Sequence, residues 1–372
     1  MRIALGMDLH KDLAVCHAVY AGDGVATDDD QAFLDRFNGS HRRQRARPED
    51  MHDIVHALDG HEVHVLIENS TKTFETYWTL TFLGCHVTVA QARDLYRITK
   101  SVTKNDENDA CELAHYMRRR LHGEDEFAEC VMPSKEWMIK RELCRTVFNE
   151  KEHLADLKRR TRAHLLLHGI RLSREYPEIF AKKAIKEMTA LDDPILKIYI
   201  KEAETLQERV SFEAKYIDHL FSGDRMFHLI HSIPGFGKIS AAYLTSLIMD
   251  IGRFDNCNQF TANFGVVPKQ RDSADTKSRC ATTHRGDVDA RRLLKQAAFV
   301  HSQTVEDSVV SEMYRRLRSR GKAHNEVLVA CARKLLTVVW SVLRSGRTYT
   351  SDPGLLKAAR EMADSEETLA ME

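Results

Sequence analysis

None of the eight cysteines stands in a C-x-x-C pair. Their scatter from Cys16 to Cys331 suggests neither a zinc knuckle nor a disulfide framework, and reduced thiols in a cytoplasmic protein are the expectation. No run of 18 uncharged apolar residues occurs, so no segment is expected to span a membrane. The first residues run straight into strand-like sequence without a charged region, an apolar stretch and a cleavage site, so no secretory leader is expected. Net charge is also missing: 55 basic residues balance 55 acidic ones, and any affinity for a polyanion must come from local clusters. The chain shows neither a Ser/His/Asp order for acyl transfer nor a base-reading helix or zinc finger.

What is present is an ordinary globular composition, 43% apolar and 30% charged over 372 residues, long enough for two or three domains. Residues 1–125 alternate strand-like and helix-like patterns. Strands are predicted at Arg2 to Asp8, Leu13 to Tyr20, weakly at Gln31 to Phe37, at Val63 to Glu68 and at His86 to Ala90. Helices are predicted at Pro48 to Leu58, Phe74 to Leu83 and Asp106 to Arg120. The order implies an α/β domain, a mixed sheet covered by helices.

Residues 134–222 read as an all-α region of long helices. Leu143, Val147, Leu154, Leu157 and Leu165 follow an a/d-like seam that ends near Gly169. A second helix from Pro194 to Phe221 carries Leu196, Ile200, Leu206, Val210, Ile217 and Leu220, so the pair predicts a helical hairpin or coiled coil suited to dimerisation. Residues 226–345 form a third, mainly α region, and 346–372 a polar tail.

Four acids stand out. Asp8 and Glu68 each end an apolar strand-like run, which would project them from a sheet edge; they approach each other only if the two strands are parallel neighbours. Asp106 and Asp109, spaced i, i+3, share one face of a helix starting there. Hard divalent cations need oxygen ligands from several elements. Two such metals about 3.5–4 Å apart assist phosphodiester displacement. The competing reading is that these residues only end strands and cap a helix. Histidines 10, 17, 61 and 64 read as surface or strand-face residues, with metal ligation as the lesser alternative.

In the third region, Ser232-Ile233-Pro234-Gly235-Phe236-Gly237-Lys238 predicts a helix, a tight turn and another helix. Gly235 and Gly237 permit positive φ, and backbone N–H groups beside Lys238 suit a phosphate; a plain helical turn is the alternative. A polar, basic loop follows, in which Lys269, Arg271, Lys277, Arg279 and Arg285 surround Ser273. Cationic neighbours would hold a phosphate against a serine nucleophile, though a single loop serine is weak testimony. Further basic clusters, Arg118 to Arg120, Lys158 to Arg162 and Arg315 to Arg320, read as phosphate contacts or solvated helix faces.

Together these motifs resemble the DEDD-type insertion-sequence transposases related to the Piv DNA invertase. Gly6-Met7-Asp8-Leu9-His10-Lys11-Asp12 is similar to the family's G-x-D-x-x-K-D, and Lys104 to Ala110 to its K-x-D-x-x-D-A. Glu68 takes its second acidic position, and the Pro-Gly-Phe-Gly turn and Gly265 to Gln270 match its second half. Two departures exist: Glu68-Asn69-Ser70-Thr71 replaces E-A-T-G, and Ala274 stands where Gly usually follows the loop serine, with Ser278 as a second serine nearby.

The resemblance implies an RNase H/RuvC-like N-terminal domain holding Mg²⁺ on Asp8, Glu68, Asp106 and Asp109. It also implies a C-terminal transposase domain with a helix-hairpin-helix and a Ser273 nucleophile. Expected partners are donor and target DNA, a structured guide RNA from the element's own end, and further copies of the chain in a dimer or tetramer. The acids and the serine would form one composite site by domain closure or between subunits. Rival readings are a Mg-dependent junction endonuclease and a decayed, non-catalytic nucleic-acid-binding remnant.

Overall fold

The computed structural model describes residues 1–91, 95, 105–266 and 286–350. Two compact units divide the chain, Met1–Met132 and Pro133–Glu372.

The first unit is built on a five-stranded sheet of order β3-β2-β1-β4-β5. Its strands are β1 (Arg2–Leu9), β2 (Leu13–Tyr20), β3 (Arg43–Arg45), β4 (Glu62–Glu68) and β5 (His86–Ala90). β1 runs antiparallel to β2 and parallel to β4, and β4 runs parallel to β5. The sheet is therefore mixed and covered on both faces, as the residue pattern predicted. Burial on both sides explains why β1 and β4 read as continuous apolar runs rather than alternating ones.

Odd-numbered residues of β1 and β4, among them Ile3, Leu5, Met7, Val65 and Ile67, pack against α1 (Asp28–Ser40), α2 (Pro48–His56) and α3 (Thr73–Phe82). Even-numbered residues face α4 (Asp106–Leu121), where Ala4 and Leu66 meet Leu113, Tyr116 and Met117.

The segment Gln31 to Phe37 is helical, not a strand. Thr27 and Asp30 close a reciprocal capping box, and Asp28, Asp29 and Asp30 line the positive end of the helix, an arrangement that sets a helix N-terminus. Leu34 and Phe37 then fall three apart and are buried, each worth about 1.5–3 kcal/mol. Asn38 at the end of that helix closes the outer edge of β2: it accepts from the Ala18 N–H at 2.8 Å and donates to the Ala18 carbonyl at 2.9 Å.

The second unit is helical. Long α5 (Lys135–Leu167) and α7 (Pro194–Phe221) pack together, with a short α6 (Lys182–Ala190) between them in sequence. The predicted stripes are used within the unit. Leu157 and Leu165 of α5 join Leu196, Ile200 and Leu206 of α7 in one core with Ala184 and Met188 of α6. Val147, Ile217 and Phe221 join a second core with α8 (Arg225–His231), α9 (Lys238–Ile248), α10 (Cys257–Asn263), α11 (Val288–Thr304), α12 (Val309–Ser319) and α13 (His324–Ser345). α9 lies deepest, with every residue from Ala241 to Ile248 buried.

Candidate metal and nucleic-acid site

β1 and β4 are adjacent parallel strands in the register Met7↔Ile67. The next residues, Asp8 and Glu68, therefore stand level on neighbouring strands, roughly 4.8 Å apart along the hydrogen-bonding direction. Both belong to the face that meets α4. The end of β4 is held in place by its turn: Thr73 Oγ1 donates to the Glu68 carbonyl at 3.0 Å and accepts from the Ser70 N–H at 2.7 Å.

The other two acids arrive on α4. Asn105 caps that helix by accepting from the Glu107 N–H. Asp106 and Asp109 lie in its first turn, where the helix dipole favours negative charge. Arg42 and Arg43 clamp Glu107 at 3.1 and 3.2 Å and tie this end of the helix to the β3 side of the sheet.

Gly6 decides how closely α4 can come. A Cβ at Gly6 would lie 2.1 Å from the Ala110 carbonyl oxygen, 2.3 Å from the Ala114 nitrogen and 2.8 Å from the Leu113 Cβ. Only a residue without a side chain lets the helix backbone rest on β1 at this depth. That contact brings the α4 acids to Asp8.

Asp8, His10 and Asp106 offer ligand atoms that all lie within 4.8 Å of one another. His10 Nε2 is 3.3 Å from Asp8 Oδ2 and 3.4 Å from Asp106 Oδ2. Burial pushes the Asp8 carboxyl above its ordinary range; His10 opposes this, and the charges of Asp106 and Asp109 raise it further. His10, expected on the surface or a strand face with metal ligation the lesser alternative, bridges two of the acids. The signal was its place two residues after Asp8, which returns a side chain to the same side of an extended chain.

The turn before α9 has a different character from the one expected. Gly235 has φ of 102° and packs on α11, where a Cβ would lie 2.3 Å from the Ala297 carbonyl oxygen. The Pro234 carbonyl is held at 2.8 Å by the His301 ring. Gly237, in contrast, has φ of −75° and does not use the left-handed region; it is the N-cap of α9, with no side chain capping the helix. Lys238 is paired with Asp218 at 2.6 Å.

Ser273, Ser278, Lys269, Arg271, Lys277, Arg279 and Arg285 lie outside the described residues. Their flanks are close together: a Cβ at Gly286 would meet the Asn263 carbonyl oxygen at 2.7 Å and the Phe264 carbonyl carbon at 3.0 Å. Immediately after, Asp287 caps α11 through the Ala290 N–H and accepts from the Tyr243 hydroxyl at 2.8 Å. Arg145 also contacts Asp287 and donates to the Tyr243 oxygen at 3.0 Å. Burial works against the Asp287 charge, but the Ala290 N–H, Tyr243 and Arg145 outweigh it and hold the carboxyl below its usual range.

The basic clusters are partly engaged within the chain. Arg119 pairs with Asp125 and Arg120 with Glu129; Lys158 pairs with Glu178, and Arg159 and Arg160 share Asp156. The exposed pairs among them, such as those of Arg159 and Arg160, are weak enough to open for another anion.

Comparison with known proteins bears on the second unit most directly. A family profile described as "Transposase IS116/IS110/IS902 family" matches residues 227–315, from α8 into α12. The chain is 26% identical to "Insertion element IS116 uncharacterized 44.8 kDa protein" of Streptomyces clavuligerus over 156 residues, 41% of this chain and 38% of that protein. That match spans well under half of the relative's length. Longer matches extend through both units. "Transposase for insertion sequence element IS1111A" of Coxiella burnetii is 24% identical over 73% of this chain and 76% of its own length. The "Pilin gene-inverting protein" of Moraxella lacunata is 23% identical over 79% and 84%.

Proposed function

We propose that the chain is a DNA transposase of the IS116/IS110/IS902 kind, which excises and inserts an insertion sequence by cutting and rejoining DNA strands. What supports this reading is the grouping of Asp8 with Asp106 and Asp109, on a strand whose parallel neighbour ends in Glu68, in a chain whose residues 227–315 match a transposase profile.

The donor set fits Mg²⁺. Carboxylate oxygens from three elements suit a hard cation, and the repulsion that Asp106 and Asp109 exert on Asp8 is what a bound cation relieves. When bound, the metal would supply electrostatic stabilisation for charge developing on a phosphodiester undergoing displacement. Asp8 and Glu68 contribute rigidity, because they end strands buried on both faces. Asp106 and Asp109 contribute a negative surface held by α4, and His10 orients Asp8 and Asp106 relative to each other.

In the same reading the Ser273 hydroxyl attacks a backbone phosphorus. One P–O bond of the DNA breaks as the serine Oγ–P bond forms, the serine proton passes to a base, and the departing oxygen takes a proton. Attack by a second strand end reverses these changes and rejoins DNA, so the bond energy is conserved. Lys269, Arg271, Lys277, Arg279 and Arg285 hold the phosphate against the serine. The uncapped start of α9 at Gly237 and Lys238 offers N–H groups to a neighbouring phosphate, as in a helix-hairpin-helix.

Two partners complete the proposal. A structured guide RNA encoded by the element would choose DNA sequences by base pairing, with the protein holding the duplex by its backbone; this part rests on the family resemblance. A homo-oligomer, dimer or tetramer, is supported by Ile195, Ile198, Phe212 and Tyr216, which are exposed on α7.

The test is a two-plasmid excision and insertion assay in Mg²⁺ with purified protein and the element's end transcript. Wild type recombines, whereas Asp106→Asn, folded by circular dichroism, does not. Unchanged recombination by Asp106→Asn would contradict the acidic-site reading.

A further inference from the structure

We propose that Glu62, His64 and His86 form a second cation site, which takes a borderline transition-metal ion such as Zn²⁺. β4 places Glu62 and His64 two residues apart and so on the same face. The parallel register then sets His64 opposite His86 of β5. The ligand atoms of all three side chains lie within 4.8 Å of one another. His64 Nε2 is 2.8 Å from Glu62 Oε1, and the two imidazole rings stack with centroids 4.7 Å apart at 20°.

Zinc binds imidazole nitrogen and carboxylate oxygen at about 2.0–2.2 Å, which in a tetrahedron separates neighbouring donors by roughly 3.3 Å. The present separations, 2.8 Å between Glu62 and His64 and no more than 4.8 Å across the cluster, bracket that spacing. On the other side of β4, His64 is paired with Ala4 of β1, whose methyl group is too short to reach the cluster. Arg2 Nε lies 3.3 Å from Glu62 Oε2. It holds one carboxylate oxygen and leaves Oε1 for the ion, the outer-shell arrangement that orients a ligating carboxylate.

The donor set separates this site from the acidic one. Two imidazoles beside one carboxylate favour Zn²⁺, Co²⁺, Ni²⁺ or Cu²⁺, whereas a set dominated by carboxylates, as at Asp8, Glu68, Asp106 and Asp109, favours Mg²⁺. Both sites draw on β4 but at opposite ends: Glu68 is four residues beyond His64, about 13 Å along a strand. Three protein ligands leave one position open to water. The ion links β4 to β5, the edge strand of the sheet, and so cross-links the sheet by side chains as well as by its backbone ladder.

The experiment is a Co²⁺ titration of full-length, EDTA-stripped protein in excess Mg²⁺, followed by visible absorption and confirmed with Zn²⁺ by calorimetry. Wild type takes up one equivalent with the intense bands of four-coordinate Co²⁺. His86→Ala and His64→Ala lose it while circular dichroism is unchanged. Arg2→Ala weakens it about tenfold or more. His10→Ala and Asp106→Asn keep it, so the result is independent of the proposed transposase chemistry. Absence of micromolar binding in wild type would overturn the site and leave a histidine–glutamate hydrogen bond. Retention of the equivalent in His86→Ala would overturn it as well.

Discussion

Replacing Gly6 by alanine tests how the acidic site is assembled. The added methyl carbon would sit 2.1 Å from the Ala110 carbonyl oxygen and 2.3 Å from the Ala114 nitrogen. Ordinary contact begins near 3.4 Å, so α4 must retreat by more than an ångström or β1 must buckle. Overpacking of a close-packed interior costs typically about 1–3 kcal/mol, and the upper part of that range is expected because the obstructing atoms are backbone. Shortening a side chain does not help, so Ala110→Gly should fail to rescue the variant.

The same retreat carries Asp106 and Asp109 away from Asp8. A misplacement of about 1 Å costs on the order of 10²-fold in rate, so strand exchange should fall by about that factor in the fraction that remains folded. The assays are urea unfolding by circular dichroism and Mg²⁺-dependent recombination of the same preparation. A Gly6→Ala protein as stable and as active as wild type would refute the claim that glycine is required for the helix to reach the strand.

Other consequences follow from local geometry. Asn38→Leu should destabilise the protein by about 1–3 kcal/mol in urea melts, because it strands both polar groups of Ala18 at the edge of β2. Asp287→Ala removes the cap of α11 and the partner of Tyr243 and Arg145 at one flank of the serine segment; a loss of about 2–4 kcal/mol together with loss of recombination is expected, and Asp287→Asn should recover part of the stability. Hydrogen bonds from Ser173 and Tyr176 pull the Glu187 carboxyl from its ordinary 4.5 down to about 2. Its depressed value means that its contribution is present above pH 4.5 and is lost as pH falls toward 2, so thermal melts of wild type and Glu187→Gln should differ at pH 6 and converge near pH 2.

The strands that build the site were legible because they are buried on both faces. Their apolar runs end within a residue of the observed limits, which puts Asp8 and Glu68 at or next to strand ends. Their juxtaposition was conditional on parallel pairing, a non-local fact that a residue pattern does not carry. The weak strand expected at Gln31 to Phe37 is part of α1, and the stronger local signal there is the capping box of Thr27 and Asp30, three residues apart. β3 was invisible: three exposed or half-buried polar residues on an edge leave no periodicity.

At the site, the roles of His10 and Gly6 were unseen for different reasons. His10 needed the strand's alternation carried one residue past its end. Gly6 lay inside the quoted motif, but its reason, the close approach of a helix 100 residues later in the chain, exists only in three dimensions. Gly235 shows the reverse case, since its positive φ was anticipated while its contact is with α11.

The most direct measurement of the central claim is capture of a covalent protein–DNA adduct on a denaturing gel, using end-labelled DNA carrying the element's termini together with Mg²⁺ and the end transcript. The account predicts a labelled adduct with wild-type protein, lost in EDTA, in Asp8→Asn and in Ser273→Ala, with all proteins folded. Cleaved DNA without an adduct would contradict it in favour of hydrolysis by the acidic residues alone, and an adduct that persists in Ser273→Ala would contradict the assignment of the nucleophile.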